Sequence, residues 1–131
     1  MTRKAVYEIL TNDPAFTALM PVVYERGSVP DAPQVPFAVL TMAGSPRQGR
    51  SLPMLPRAEL WCYQDRGDYG DIDAALARAD ELLTAATQYV SQDGTSRLAE
   101  ATPQGWSGDL YDDTYRANTR NAGYLLVGSG G

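Results

Sequence analysis

Histidine is absent from the 131 residues, and cysteine occurs once, as Cys62. A disulfide within the chain and a Cys/His zinc site are therefore excluded. Without histidine, the sequence lacks the commonest general base, and no Cys–His nucleophile pair can form. Because Cys62 shares one face of a predicted strand with Leu60, we expect it to be a small buried apolar side chain.

Long apolar runs are missing as well. The opening MTRKAVYEIL contains no apolar stretch of signal-peptide length, and no run approaches a membrane span. We therefore expect a protein made in a cytoplasm and without a membrane partner. The length predicts a single domain, and the 44% hydrophobic and 21% charged fractions are those of an ordinary globular protein.

Positive charge is also scarce. Lysine and arginine total 11 against 16 acidic residues, so the net charge is −5, and Lys4 is the only lysine. General nucleic-acid binding usually requires a basic surface, and this charge balance argues against it.

The spacing of apolar residues predicts two helical regions. Residues 4–20 form two short helical pieces, the second with Asp13 as its N-cap and Pro14 at its first position. Residues 71–86 form one long amphipathic helix. Half of its apolar face is alanine, which favours close packing against a sheet.

Short runs of β-branched and apolar residues predict the strands, which in chain order are 22–25, 37–43, 57–64, 97–101 and about 119–128. Strands 37–43 and 57–64 are joined by a loop alone, so we expect them to pair antiparallel. Residues 102–109 are predicted to be a loop.

The predicted fold class is α+β. We expect an antiparallel β-sheet of about four to five strands, with an N-terminal helical segment and one long amphipathic helix packed on it. Residues 1–127 are expected to form the single domain, and residues 128–131 a flexible Gly-rich tail.

An acidic and aromatic cluster precedes the last strand. In SGDLYDDTYRANTRNAGYLLV, residues 107–127, it comprises Asp109, Tyr111, Asp112 and Asp113. Adjacent residues of an extended chain point to opposite faces, so a catalytic Asp112–Asp113 dyad would need a special turn. The spacing also lacks the pattern of a calcium loop. We interpret the cluster as a polar loop, and we assign no catalytic residue, metal site or cofactor.

Basic residues are concentrated elsewhere. No acidic residue occurs between Asp31 and Glu59, whereas Arg47, Arg50 and Arg57 all fall in this stretch. These arginines are either incidental charges on a solvated loop or part of an arm that contacts an acidic surface of a partner or a second copy.

Two acidic surfaces on a second copy would complement such an arm, segment 65–73 and the cluster at 109–113. Complementarity of this kind fits head-to-tail contacts that form rings. The interface candidates are Arg47, Arg50, Arg57, Asp65, Asp68, Asp109, Tyr111, Asp112 and Asp113.

Three stretches carry a family resemblance. They are AVYEILTNDPAFTALMPVVYERGSVPDAPQVPFAVLTMAG, RAELWCYQDRGDYGDIDAALARADELLTA and GWSGDLYDDTYRANTRNAGYLLV. Through them, nearly the whole chain resembles the tail terminator, or tail completion, proteins of long-tailed bacteriophages. In that family a proline-rich link joins a VY strand to the next strand, an Ala/Leu-rich helix follows, and a D-x-Y-D loop precedes the final strand.

The resemblance implies a small α+β protomer that assembles into a ring, typically a hexamer. Such a ring caps the head-proximal end of the tail tube, stops its polymerisation and provides the joint to the head-tail connector. The implied partners are the tail tube protein and the connector protein, and the implied location is the virion, after assembly in the host cytoplasm. The implied role is structural, not enzymatic, and DNA would pass through an acidic lumen without specific binding.

Other interpretations stay open. A head-tail connector or head-completion protein shares the size, the charge and the ring habit. A small carboxylate-dependent hydrolase would show a metal- or pH-dependent activity that Asp112→Asn abolishes. A monomeric accessory domain is the third alternative.

Overall fold

The computed structural model describes residues 2–44, 56–65, 67 and 69–130. Within these ranges there are three α-helices, none of them long and apolar enough to cross a membrane. The helices are α1 (Arg3–Thr11), α2 (Pro14–Leu19) and α3 (Gly70–Ala85), and a 3-10 turn spans Arg26–Ser28. The strands are β1 (Val23–Glu25), β2 (Phe37–Gly44), β3 (Pro56–Gln64), β4 (Tyr89–Val90), β5 (Ser96–Trp106), β6 (Leu110–Asp112) and β7 (Ala117–Gly130).

The strands form one sheet in the order β1-β2-β3-β7-β5-β4, and β6 pairs with the first residues of β7. The pairing of β1 with β2 is parallel, whereas the other pairs, including the predicted β2–β3 pair, are antiparallel. The α+β class is confirmed. Within the described ranges, seven strands replace the expected four to five, because β4 and β6 contain only two and three residues and give no alternation pattern.

The helices cover one face of the sheet and form the main core with it. Ala58, Leu60 and Cys62 of β3 point to this face and are fully buried, which confirms that Cys62 shares a face with Leu60 and is a buried side chain. Burial raises the pKa of the Cys62 thiol, which therefore stays protonated. The core partners from α3 and β7 include Ile72, Ala75, Leu76, Ala79, Leu83, Ala122, Tyr124 and Leu126.

The opposite face carries an aromatic cluster at the end of the sheet where β2 begins. The rings of Phe37 and Tyr63 stack with their centroids 4.6 Å apart, and Tyr115 meets both rings edge-on. Burial, with a smaller contribution from Asp112, raises the pKa of Tyr63 to about 12. Because Tyr115 precedes β7, the cluster fixes the turn before β7 onto β2 and β3.

Asp13 joins two helices. Its carboxylate accepts a hydrogen bond from the Phe16 amide at 2.9 Å, which confirms the predicted N-cap of α2. The same carboxylate accepts two bonds from Arg78 of α3, from Nε at 2.9 Å and from Nη2 at 2.8 Å. The start of α2 is therefore attached to the middle of α3 by a planar ion pair.

β5 is longer than the sequence predicted, and the loop prediction for 102–109 is wrong over its first five residues. Pro103 and Gly105 suggested a loop. In the structure Pro103 lies opposite Tyr124 of β7, and a bulge accommodates Gly105 at a φ of +95°. Both residues are tolerated because β4 pairs only with the start of β5, so this half of β5 lies at the sheet edge.

The expected flexible tail at 128–131 is replaced by strand as far as Gly130. Gly128 pairs with Leu98 of β5, and a Cβ at this position would lie 2.1 Å from the Arg97 carbonyl oxygen and 2.1 Å from the Thr2 methyl group. The glycine therefore permits a close approach of α1, β5 and β7. Gly131 lies outside the described residues.

Two aspartates on α3 attach the helix to the β5–β7 hairpin. Asp80 accepts hydrogen bonds from the Tyr124 hydroxyl and, at 3.0 Å, from the Trp106 indole nitrogen. Asp73 accepts a bond from Arg120, whose guanidinium lies 5.2 Å from the centre of the Trp106 ring. Helix and hairpin therefore hold a fixed position relative to each other.

We expect Asp13→Asn to lower stability at neutral pH and to have little effect near pH 2. The Arg78 hydrogen bonds, followed by the Phe16 amide, lower the pKa of Asp13 from 3.8 to about 2. A carboxyl group whose pKa is lower in the folded state than in the unfolded state stabilises the fold at a pH above its unfolded-state pKa. This stabilisation is lost as the pH falls through the folded-state pKa. Thermal unfolding between pH 2 and pH 7 should show the difference in Tm vanish at the acid end.

Glu81→Gln is the matched control, because Glu81 also bonds Arg78 but is 67% exposed. Its Tm should stay close to that of the unmodified protein throughout. A difference in Tm between Asp13→Asn and the unmodified protein that is constant with pH would contradict the linkage.

We expect Tyr124→Phe to reduce the free energy of unfolding by about 1.5–3 kcal/mol, because it removes a buried hydrogen bond to a carboxylate. Urea denaturation measures this. Tyr24→Phe, at a half-buried ring packed edge-on against Phe37, is the control and should cost less than about 0.5 kcal/mol. Equal costs for the two changes would refute the role of the Asp80 contact.

Candidate interaction surfaces

The acidic cluster forms the end of a long hairpin. β5 and β6 run along the same edge of β7, and a turn at residues 113–116 joins β6 to β7. The Asp112 carboxylate accepts a hydrogen bond from the Tyr115 amide at 2.9 Å within this turn, where Arg116 has a φ of +53°. Asp112 therefore shapes the turn, and the predicted polar loop includes a short strand.

Residues 109–113, here named the hairpin tip, are held at their base by Arg120. Its guanidinium donates two bonds to the Ser107 carbonyl oxygen, at 3.0 and 2.8 Å, and its Nε lies 3.7 Å from an Asp109 oxygen. The Tyr69 hydroxyl donates to the Leu110 carbonyl oxygen. These contacts fix the backbone of the tip.

The hairpin tip presents acidic and apolar side chains together. Leu110 and Tyr111 are each 41% exposed, Asp113 is exposed, and the Asp109 side chain is 65% exposed. In the described part of the chain, no three acidic or cysteine side chains are grouped closely enough to hold a metal ion. An exposed apolar patch with an acidic rim is typical of a contact surface.

The other predicted interface residues lie apart from the tip. Arg57 is exposed near the start of β3, with its guanidinium across Gly123, and Asp65 is exposed just after the other end of that strand. Arg47, Arg50 and Asp68 lie outside the described residues.

Arg57 and the acidic residues belong to opposite ends of the sheet. Gly44 and Pro56, the latter next to Arg57, pair with each other at one end. Asp65 follows the far end of β3, about 27 Å away by the rise of an extended chain. The hairpin tip is at the same end as Asp65, since Tyr111 and Gln64 both lie opposite Asn118.

Sequence reasoning missed a cleft along β1, the edge strand. It has a volume of about 480 Å³ and is lined by Arg3, Lys4 and Tyr7 of α1, by Val23, Tyr24 and Glu25, and by Ser28. An adjoining cleft of about 390 Å³ shares three of these residues and is also lined by Arg26, Gly27, Leu40, Thr41 and Met42. Together we name them the edge cleft. No sequence signal marks it, because parallel pairing of β1 with β2 creates it.

The two basic side chains of α1 at the edge cleft, Arg3 and Lys4, differ in how closely they meet an acidic partner. Arg3 Nε lies 4.0 Å from a Glu25 oxygen, beyond hydrogen-bonding distance. Lys4 donates a hydrogen bond to Asp93, and this bond raises the pKa of the lysine. Arg3 therefore retains hydrogen-bonding capacity towards a further acidic group, whereas Lys4 already has a close partner.

Comparison with known proteins identifies the fold. No protein-family model matches the chain, and neither does any curated protein. Among solved structures, it is similar to a chain described as "Virion of native gene transfer agent (GTA) particle", with a TM-score of 0.66 and 16% sequence identity. The match covers 96% of this chain and 94% of that chain. The two chains therefore share one α+β fold over nearly their whole lengths.

Proposed function

We propose that this protein is a structural component of a phage-like virion, and within it the tail terminator. In this role a ring of copies, typically six, closes the head-proximal end of the tail tube and joins the tube to the head-tail connector. The ring acts by binding its neighbours through complementary surfaces, without turnover of a substrate.

The fold match to a gene transfer agent virion chain carries this proposal. A shared fold at 16% identity leaves the particular component open, but the match spans both chains almost completely. The family resemblance in the sequence supports the finer assignment to a tail terminator.

The distribution of charge supports a ring. Exposed Arg57 lies at one end of the sheet, and Asp65 and the hairpin tip lie at the other. Complementary patches at opposite ends cannot satisfy each other within a copy, so they favour head-to-tail contacts. Such contacts form a closed ring when the rotations that relate successive copies add up to a full turn.

A head-tail connector is the main alternative. It would form a similar ring, but it would bind the portal side of the neck and not the tail tube. The partner that the ring binds therefore distinguishes the two assignments more directly than the ring itself.

We expect the purified protein to form rings of about six copies that bind tail tubes. Light scattering gives the solution mass, negative-stain imaging gives the shape, and co-sedimentation with tail tube protein or with portal protein gives the partner. Rings at tube ends are expected. Binding to portal alone would favour the connector, and a monomer that also fails to assemble on tubes would refute the ring.

We expect Arg47→Glu combined with Arg50→Glu to prevent ring assembly or tube binding and to leave the fold intact. Reversing both charges would place like charges opposite the acidic end of the neighbouring copy, including Asp65. Circular dichroism and thermal unfolding test the fold, and light scattering tests assembly.

Arg97→Glu is the matched control, because Arg97 is exposed on β5 and donates a hydrogen bond to Gln88 at the surface. Rings should persist in this variant. Normal assembly of the Arg47/Arg50 double variant would mean that these two arginines are incidental charges on a solvated loop.

A further inference from the structure

The outer edge of β1 carries backbone groups that no other strand of the described sheet pairs. β1 is the terminal strand of the sheet and pairs only with β2, in parallel, with Val23 opposite Ala38. The Ala38 amide donates to the Val22 carbonyl oxygen at 2.9 Å, so the backbone groups of Val22 and Tyr24 point towards β2. The alternate residues, Val23 and Glu25, therefore direct their N–H groups away from β2.

These outward groups have no partner within the described part of the chain. Neither the N–H groups of Val23 and Glu25 nor the Val23 carbonyl oxygen makes a hydrogen bond there. Both residues line the edge cleft, so the groups can be reached from it. A row of unpaired backbone groups at a sheet edge is the template on which a further strand adds.

The edge cleft has the layout of a vacant strand position. All three residues of β1 line it, although neighbouring side chains of a strand point to opposite faces, so the cleft follows the edge of β1 and not one face. Its other wall is the face of α1 that carries Arg3 and Tyr7. β1 is about 10 Å long by the rise of an extended chain, so an added strand pairs over about three residues.

The other side of the sheet is protected against strand addition. β4 covers only the start of β5, and beyond it Pro103 lacks an N–H group and a bulge accommodates Gly105. Proline and bulges at an edge hinder pairing with another chain. β1 contains neither, and Val22, directly before it, exposes 42% of its side chain. Of the two edges, β1 is the one that accepts a strand.

We propose that an extended segment of another virion protein adds to the outer edge of β1 as a further strand. The inference rests on the proposed virion role, but it does not depend on the assignment as a tail terminator. Main-chain hydrogen bonds to Val23 and Glu25 hold the segment. On the face away from the helices, its alternate side chains meet Val22 and Tyr24, which calls for apolar residues there.

Charge contributes little to this contact. Arg3 lies 4.0 Å from Glu25, and Lys4 donates to Asp93, so both basic side chains of the larger cleft already face an acidic group of the same copy. Recognition therefore depends on the backbone and on the apolar side chains.

The described part of this chain offers no segment that suits the position. Its longest stretch outside helices and strands is 29–36, and the prolines at 30, 33 and 36 lack the N–H group that pairing uses. Its strands already belong to the sheet of their own copy. This favours a different protein as the source of the added strand, with a second copy as the alternative that the test separates.

Amide hydrogen exchange resolved by residue tests the contact in the full chain. The free protein is compared with the protein incorporated into virion particles. We expect the Glu25 amide to exchange at least about tenfold more slowly in the particle, because pairing protects it. The Tyr24 amide is the internal control, since it is bonded to β2 in both states.

The outcomes separate the inference from the proposed function. An unchanged Glu25 exchange rate in protein that has entered particles would overturn the added strand and leave the virion role standing. Failure of the unmodified protein to enter particles would refute the virion role and this inference with it. Protection that is already complete in rings of this chain alone would overturn the assignment to a different protein and identify a second copy as the source.

A pair of variants gives a second measurement. Glu25→Pro removes the outward N–H group with little strain, because Glu25 has a φ of −81°, close to the angle that proline requires. Glu25→Ala is the matched control, which removes the same carboxylate and keeps the N–H group. We expect Glu25→Pro to enter particles at least about tenfold less efficiently than Glu25→Ala, while thermal unfolding shows that both are folded. Equal incorporation of the two folded variants would overturn the inference.

Discussion

β7 is the strand on which the rest of the fold depends. Its fourteen residues pair with β3 along one edge and with β5 and β6 along the other, and its inward side chains meet α3. The sheet is complete only when β7, the last strand in the sequence, lies between β3 and β5. Long-range pairing of this kind is slow to form and cooperative once formed. The positions of the hairpin tip and of the turn that completes the aromatic cluster follow from it.

The sequence predicted the elements whose pattern is local. The helix of 71–86, the Asp13 cap and the inward face of Cys62 depend on spacing or on adjacent residues, and the structure confirms them. It failed where tertiary context decides the conformation. Proline and glycine are typical of loops, but Pro103 and Gly128 both lie in strands. Pro103 is tolerated at the sheet edge, and Gly128 is needed where backbones approach closely.

The candidate surfaces divide in the same way. The hairpin tip was visible because its residues are contiguous. The edge cleft was not, since Arg3, Glu25 and Thr41 come from three distant segments and meet only through the parallel β1–β2 pair. Nothing in a single sequence indicates that an otherwise antiparallel sheet will have one parallel edge. A surface assembled in this way becomes visible only from the arrangement of the strands.

Gly123 has a further consequence for the surface. It leaves a shallow channel across β7, and the guanidinium of Arg57 lies in it; a Cβ there would be 2.8 Å from the arginine Nη2. A single methyl group would therefore lift the positive charge away from the sheet without altering the net charge. The electrostatic outline at this end of the molecule is thus set partly by a residue that has no side chain, and a comparison of charged positions alone would overlook it.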